Sequence, residues 1–207
     1  MNDDAGYLET AHPLPHPILM ELEQRSRKDG VPILARETGR LLSTVVAAMQ
    51  ASRILEVGTA YGYATLWMAF AQPRMGKIWT IEQDARRTDV ARKYFRQADE
   101  DDDIEIFNTP PLELLENFPH RNLDLVFIDA RTTEYRAYLD LVIPMLKLSG
   151  LVIVDDCLLG GRVSRARAGD DAVDRMRAFN AYFLTHPQLD ATILPVGSGT
   201  GIGARRQ

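Results

Sequence analysis

The 207 residues predict an α/β fold, a doubly wound and mostly parallel sheet of seven strands with helices on both faces and an antiparallel strand at the C-terminal end. Three observations carry that expectation. Short apolar runs alternate with segments of helical periodicity through most of the chain. A glycine-bearing turn, Gly58-Thr59-Ala60-Tyr61-Gly62, joins one such run to a helix, and several runs end on an acid.

Residues 1–17 end in AHPLPHP, where three prolines favour an extended N-terminal arm. His12 and His16 lie in it without the helical geometry that would aim both at one metal. Ile18, Leu19 and Leu22 share a helical face that Asp29-Gly30 closes. A second helix, Arg36 to Met49, carries the apolar stripe Leu41, Leu42, Val45, Val46 and Met49. Ile54, Leu55 and Val57 form the first strand, and the helix behind the glycine turn starts near Ala64. Lys77 to Ile81 is the second strand, ending in Glu82, and Ala85 to Gln97 the next helix. The run Asp99-Glu100-Asp101-Asp102-Asp103 reads as a solvated turn. Ile104 to Phe107 is the third strand, followed by Asn108-Thr109-Pro110-Pro111. Leu123 to Ile128, apolar except for Asp124, is the fourth and ends at Asp129. Tyr135 to Met145 then reads as a helix, and Gly150 to Val154 as a fifth strand ending at Asp155-Asp156. Asp170 to His186 is the last long helix, and Leu189 to Val196 with Gly201 to Ala204 form a terminal pair of strands.

One domain over residues 1–207 fits this length and a 45% hydrophobic content. The net charge of −5 provides no global attraction to nucleic acid or an anionic membrane. No apolar stretch approaches a bilayer span, and the start MNDDAGYLET lacks a basic, then apolar leader, so a cytoplasmic location is expected. A single cysteine, Cys157, excludes an internal disulfide and a cysteine-based zinc site.

Ligands of open α/β sheets bind at the carboxyl ends of the strands, which is where the chemistry-bearing residues fall. Gly58 and Gly62 allow positive φ or close backbone approach to a ligand. A dinucleotide turn would need a second glycine where Ala60 stands, and Glu56 would repel a diphosphate. That carboxylate suits a ligand with ammonium and sulfonium charges, as in S-adenosylmethionine (SAM). Glu82 is placed for a ribose diol; its alternative role is that of an acid at a helix start. Asp129, Asp155 and Asp156, at the ends of two strands, are hard oxygen donors suited to Mg²⁺, Mn²⁺ or Ca²⁺, although Asp156 alone reads as a helix cap.

The stretch EVGTAYGY resembles the first motif of the class I SAM-dependent methyltransferases, in the catechol and caffeoyl-CoA O-methyltransferase type. FIDARTTEYRAY and GLVIVDDCLLGG resemble two further signatures of the metal-dependent members. The resemblance implies a Rossmann-like fold, a cytoplasmic homodimer, and SAM contacts at Glu56, Gly58, Thr59, Ala60, Tyr61, Gly62, Ala64, Glu82, Thr109 and Asp129. It places a catalytic divalent metal on Asp129, Asp155 and Asp156, matches Tyr135 to the family tyrosine, and lays Val31 to Leu34 across the cofactor. Two positions depart from it: Asp156 replaces an asparagine, and Thr132 stands where the family has its catalytic lysine. The implied reaction methylates a hydroxyl of a small catechol-like or vicinal oxygen-bearing acceptor. A related bacterial branch methylates 5-hydroxyuridine in tRNA, and a SAM-binding protein without catalysis is the third possibility. Arg162, Arg165 and Arg167, in a glycine-flanked loop after Asp155-Asp156, form a basic lip for phosphate of a large anionic acceptor, tRNA or a CoA thioester; the bland alternative is a solvated loop.

Overall fold

The computed structural model describes residues 4–166 and 169–206. Its strands are β1 (Arg53–Val57), β2 (Lys77–Ile81), β3 (Ile104–Phe107), β4 (Leu123–Ile128), β5 (Leu146–Val154), β6 (Leu189–Leu194) and β7 (Thr200–Arg205). They form a 7-stranded sheet in the order β3-β2-β1-β4-β5-β7-β6. The first five pair in parallel, β7 runs antiparallel to β5, and β6 antiparallel to β7. From β1 the chain winds outward through β2 and β3, then returns to start β4 on the other side of β1. That reversal opens a crevice at the carboxyl ends of β1 and β4.

Parallel strands buried on both faces need apolar side chains pointing both ways, and this sheet has them. One face, carrying Ile54, Ile78 and Phe127, is covered by α2 (Pro17–Asp29), α3 (Arg36–Met49), α4 (Tyr63–Ala69) and α5 (Ala85–Gln97), through residues such as Leu22, Leu42, Leu66 and Phe95. The other face carries Leu55, Val57, Val126 and Ile128 under α6 (Pro111–Glu116), α7 (Tyr135–Val142) and α9 (Asp171–Leu184). Period-two alternation puts Glu56 on the same face as Ile54, beneath α4. The polar exception inside β4, Asp124, is buried and fully engaged. Its carboxylate accepts from the backbone of Ser52 and Arg53 at 2.8 Å and pairs with Lys147 at 2.5 Å. Gly201 keeps β7 close to α9, since a Cβ there would meet Phe183 at 2.9 Å and the Cys157 sulfur at 3.0 Å.

Helix ends follow local chemistry. Gly30 at φ 65° closes α2, and Asp84 and Asp170 cap α5 and α9 by accepting from backbone N–H groups two and three residues on. His16 caps α2, its Nδ1 accepting from Ile18 N at 3.4 Å, so it has a packing and capping role.

The structure corrects four expectations. The N-terminal arm is extended only near its prolines; α1 (Asp4–Ala11) precedes them, and nothing in GYLETA forbids helix. After β3, where the sequence reading assigns no element, the Pro110-Pro111 pair opens a helix. Pro111 occupies the first turn of α6, where its missing N–H has no intrahelical partner to lose. The fifth strand begins at Leu146 instead of Gly150, continuing through Ser149 at φ 62°, opposite a register shift between Leu123 and Leu125. The helix after Asp129 ends at Val142, and Pro144 turns the next residues into a 3-10 turn. The segment after Asp155-Asp156, expected as a loop, contains a 3-10 turn, Leu159–Gly161, and a short helix, α8 (Arg162–Arg165).

The glycine turn is where the fold tolerates least. Gly58 has φ 102°, and a Cβ on it would sit 2.0 Å from the Asp129 carbonyl oxygen. Gly30 also has positive φ, but a Cβ on it would meet nothing within 4 Å. Gly30→Ala should therefore cost about 1 kcal/mol, from conformation alone, and Gly58→Ala more than about 3 kcal/mol. Urea unfolding of the two variants checks this; equal losses would mean that the β1 and β4 tips separate easily.

Candidate active site

The strand ladder is extended by one residue at each of three tips, and this aims three acids into the crevice. Glu82 N donates to Phe107 O, Asp129 N to Val57 O, and Asp155 N to Ile128 O, at 3.0, 2.9 and 3.0 Å. Glu82, Asp129 and Asp155, joined by Asp156, line a cavity of about 660 Å³. Gly58 and Ala60 form part of its floor, and Pro32, Ile33 and Leu34, between α2 and α3, close one side. Two cations, Arg87 and Arg131, are on its wall. Sequence reasoning missed Gln83, Asp84, Arg87, Pro111, Tyr138 and Ser198 as lining residues. Gln83 and Asp84 directly follow a strand-end acid, and that adjacency is the signal that could have found them.

The turn after β1 is held from below. Gly58 N and Thr59 N both donate to Ile81 O. Ala60 adopts φ 48° without being glycine, and its N–H donates to Glu82 Oε2 at 2.9 Å. Asp84 N donates to Glu82 Oε1 at 2.8 Å. Both carboxylate oxygens are thereby fixed at the tip of β2, each keeping a lone pair for a ligand hydroxyl. Helix capping in this segment falls to Asp84.

The other expected cofactor residues separate into floor and support. Glu56 is fully buried: one oxygen accepts from the hydroxyls of Thr65 and Thr80, and the other has no partner among the described residues. It lies under the cavity and does not line it. Thr59 is buried with its hydroxyl 2.6 Å from that of Thr80. The Tyr61 hydroxyl donates to Asp29 at 2.9 Å, Ala64 packs in the core, and Gly62 caps α4 at φ 87° close to Phe95. Thr109 is half-buried and outside the lining; Pro111 takes the place by the cavity.

Burial and like charge act together on the acids. Burial pushes Glu56 up to about 7, against the two threonine hydroxyls and with help from the Glu82 charge. Burial, then Asp155, Asp156 and Glu56, raise Asp129 far above the ordinary carboxylate range. Asp155 is raised to about 6, again by burial first, with the Asp156 backbone N–H opposing and the Asp156 charge adding. Burial also raises Asp156, which has φ 61° and is partly relieved by the Ser198 hydroxyl. Among the described residues, no cationic side chain offsets these three aspartates.

As the side chains stand, no group of three or more His, Cys, Asp or Glu residues forms a ready-made metal cluster among the described residues. The donor chemistry nevertheless suits a cation. Asp155 Oδ1 is buried without a partner among them, and each of the three carboxylates gains from a positive charge that relieves its neighbours. Tyr135 is fully buried beside this group, and its hydroxyl also lacks a partner among the described residues. Thr132 opens the 3-10 turn ahead of α7 and is not part of the cavity lining.

The basic lip does not converge on the cavity. Arg162 pairs with Asp170 at 2.7 Å, Arg165 folds over Gly161, and neither lines the cavity. Arg167 lies outside the described residues.

The chain matches the family model described as O-methyltransferase over residues 9–206. A catechol O-methyltransferase of Mycobacterium tuberculosis is 31% identical over 161 residues, 78% of this chain and 73% of the relative. A caffeoyl-CoA O-methyltransferase of Populus kitakamiensis is 26% identical, covering 96% and 91% of the two chains. Among solved structures, cofactor-bound Rv0187 from MTB superposes with a TM-score of 0.89 at 27% identity over 99% of this chain and 97% of that one. An O-methyltransferase from Bacillus cereus in complex with SAH shares the fold, with a TM-score of 0.86 at 24% identity over 97% and 96%.

Raised acids give a definite sign to the pH dependence. The unfolded chain ionises Glu56 near 4.5 and Asp155 near 3.8, whereas the folded chain holds protons on them to about 7 and about 6. The folded form thus binds more protons, so stability falls as pH rises through this window. Glu56→Gln keeps an acceptor for both threonines and removes the ionisation. Between pH 5 and pH 8 it should lose less stability than the parent, by up to about 3 kcal/mol, in urea unfolding. Parallel losses would show that Glu56 ionises normally.

Proposed function

The chain belongs to the O-methyltransferase family, and from that premise we propose a SAM-dependent transfer of a methyl group to a hydroxyl of a small acceptor that carries a second, vicinal oxygen. A divalent cation held by Asp129, Asp155 and Asp156 is part of the proposal. The observation that supports it most is the cavity where the strand order reverses, whose acids Glu82, Asp84, Asp129, Asp155 and Asp156 outnumber its two arginines. A donor bearing ammonium and sulfonium charges is favoured there, and an anionic dinucleotide is not. The relatives named for catechol and caffeoyl-CoA support the acceptor class.

The division of labour follows from the positions of the side chains. Glu82, pinned by the N–H groups of Ala60 and Asp84, accepts hydrogen bonds from a ribose diol. Gly58 and Ala60 let the donor approach the backbone, and Glu56 lies beneath them without contact. Pro32, Ile33 and Leu34 exclude water from one side of the reacting atoms. In the transfer, an acceptor oxygen forms its bond to the methyl carbon as the carbon–sulfur bond breaks, leaving a neutral thioether, and the hydroxyl proton passes to water. A bound divalent cation would supply Lewis acidity that lowers the acceptor pKa. Thr132 cannot act as a general base, and the Arg131 guanidinium stays protonated. Proton loss therefore depends on the acceptor's own acidity in the site, and the rate should rise with pH toward the acceptor pKa.

Two measurements test the assignment. Glu82→Ala should weaken SAM binding ten- to a hundred-fold, or about 1.5–3 kcal/mol, by calorimetry on folded protein. Unchanged affinity would remove Glu82 from the donor site. Asp155→Ala should abolish turnover of catechol with Mg²⁺ and leave SAM binding in place. Turnover that survives both this substitution and exhaustive chelation would remove the cation from the reading.

A further inference from the structure

One buried hydroxyl beside the crevice has no use in holding the fold. Tyr135 is fully buried, and its hydroxyl meets no acceptor among the described residues. Phenylalanine would fill the same space without the desolvation cost of an unmet donor. Two elements fix where the ring lies. Tyr135 opens α7, directly after the 3-10 turn Thr132–Glu134 that follows the tip of β4. On α9, Phe179 meets the ring edge-on, with centroids 5.3 Å apart and planes at 69°. Its neighbour Asn180 donates to Cys157 O at 2.7 Å, so α9 is tied to the residue that follows Asp155-Asp156. Burial first, and then the charge of Asp129 ahead of those of Asp156, Cys157 and Asp155, raises the Tyr135 hydroxyl well above the ordinary tyrosine range. The three aspartates are not equally served. Asp155 has the Asp156 backbone N–H and Asp156 has the Ser198 hydroxyl, whereas burial and then three neighbouring carboxylates act on Asp129 with no hydrogen bond to oppose them. Asp129 is the acceptor without a donor, and Tyr135 the donor without an acceptor.

We propose that Tyr135 is a positioning residue for the cation site: its hydroxyl donates to the Asp129 carboxylate and holds that carboxylate turned toward the cation. The inference rests on the cation reading above. A carboxylate has two oxygens and about four lone-pair sites, so a cation on one side leaves the other in need of a donor. Such donors behind the ligands fix the orientation of the ligating groups. A neutral phenol supplies this bond without adding a positive charge that would compete with the cation for the same carboxylate. The ring is clamped between α7 and α9, so the hydroxyl is held in place before any ligand arrives.

The probe is Mn²⁺, titrated into the full chain with S-adenosylhomocysteine present and read by calorimetry. Tyr135→Phe removes only the hydroxyl and should raise the Mn²⁺ Kd about tenfold or more. S-adenosylhomocysteine affinity measured without metal should not change. In urea without metal, the variant should be at least as stable as the parent, because a buried unmet donor is gone. A hydroxyl that merely supports the fold would give the reverse pattern, a lower urea midpoint with an unchanged Mn²⁺ Kd, and that result would overturn the proposal. The parent alone gives a second reading, which does not depend on how the variant folds. Adding Mg²⁺ should produce a tyrosine ultraviolet difference spectrum as the hydroxyl takes up its acceptor, and a titration with no tyrosine signal would also overturn the proposal. A parent that binds no divalent cation removes the cation reading and Tyr135 with it; equal Mn²⁺ binding by parent and variant removes Tyr135 alone.

Discussion

The site depends on the closeness of two backbones. At the tips of β1 and β4, Gly58 lies so near the Asp129 carbonyl that no side chain fits between them. Parallel pairing of β1 with both β2 and β4 sets that spacing, and the apolar layers above and below the sheet maintain it. Ala60 N–H then meets Glu82, and Asp129 comes into the same crevice as Asp155 and Asp156. A loop alone could not hold these carboxylates together against their repulsion; strand tips on a rigid sheet can.

Crowding acids in a partly dry crevice stores electrostatic free energy in the fold. Burial raises Glu56, Asp129, Asp155 and Asp156, neighbouring carboxylates add to the rise at Glu56, Asp129 and Asp155, and no lysine or arginine among the described residues relieves them. Any cationic ligand therefore gains more here than at an exposed site. The same potential disfavours phosphate near the three aspartates, and after β5 Arg162 pairs with Asp170 while Arg165 folds over Gly161. Donor recognition and acceptor charge are thereby coupled through one field.

Much of this is legible in the residues. The seven strands, the glycine turn and the acids at their tips follow from apolar runs and from where those runs stop, and the strand-end rule gathers Glu82, Asp129, Asp155 and Asp156 without further information. The departures share one cause: a local signal outranks tertiary context. Prolines suggest an extended arm over residues 1–17, but proline forbids only helix interiors, and α1 ends before the first of them. Ser149-Gly150 looks like a break, yet pairing with β4 carries β5 straight through it. Glu56 reads as a ligand contact because it lies near the end of its strand; side-chain alternation turns it under α4. That the Tyr135 hydroxyl and the Asp129 carboxylate are left as unmatched donor and acceptor cannot be read from sequence, since it depends on how α7 and α9 pack.

Cys157 has a practical consequence. It is the chain's one cysteine, fully buried against Gly201 and α9, and burial pushes its thiol up to about 12. At neutral pH it is neither ionised nor reachable, so it is silent toward alkylating reagents. A cysteine introduced on the exposed surface of α1 would then be the sole reactive thiol without any background substitution. Fluorescent or spin labels could be attached there with single-site purity, giving a direct view of how the N-terminal segment moves relative to the sheet.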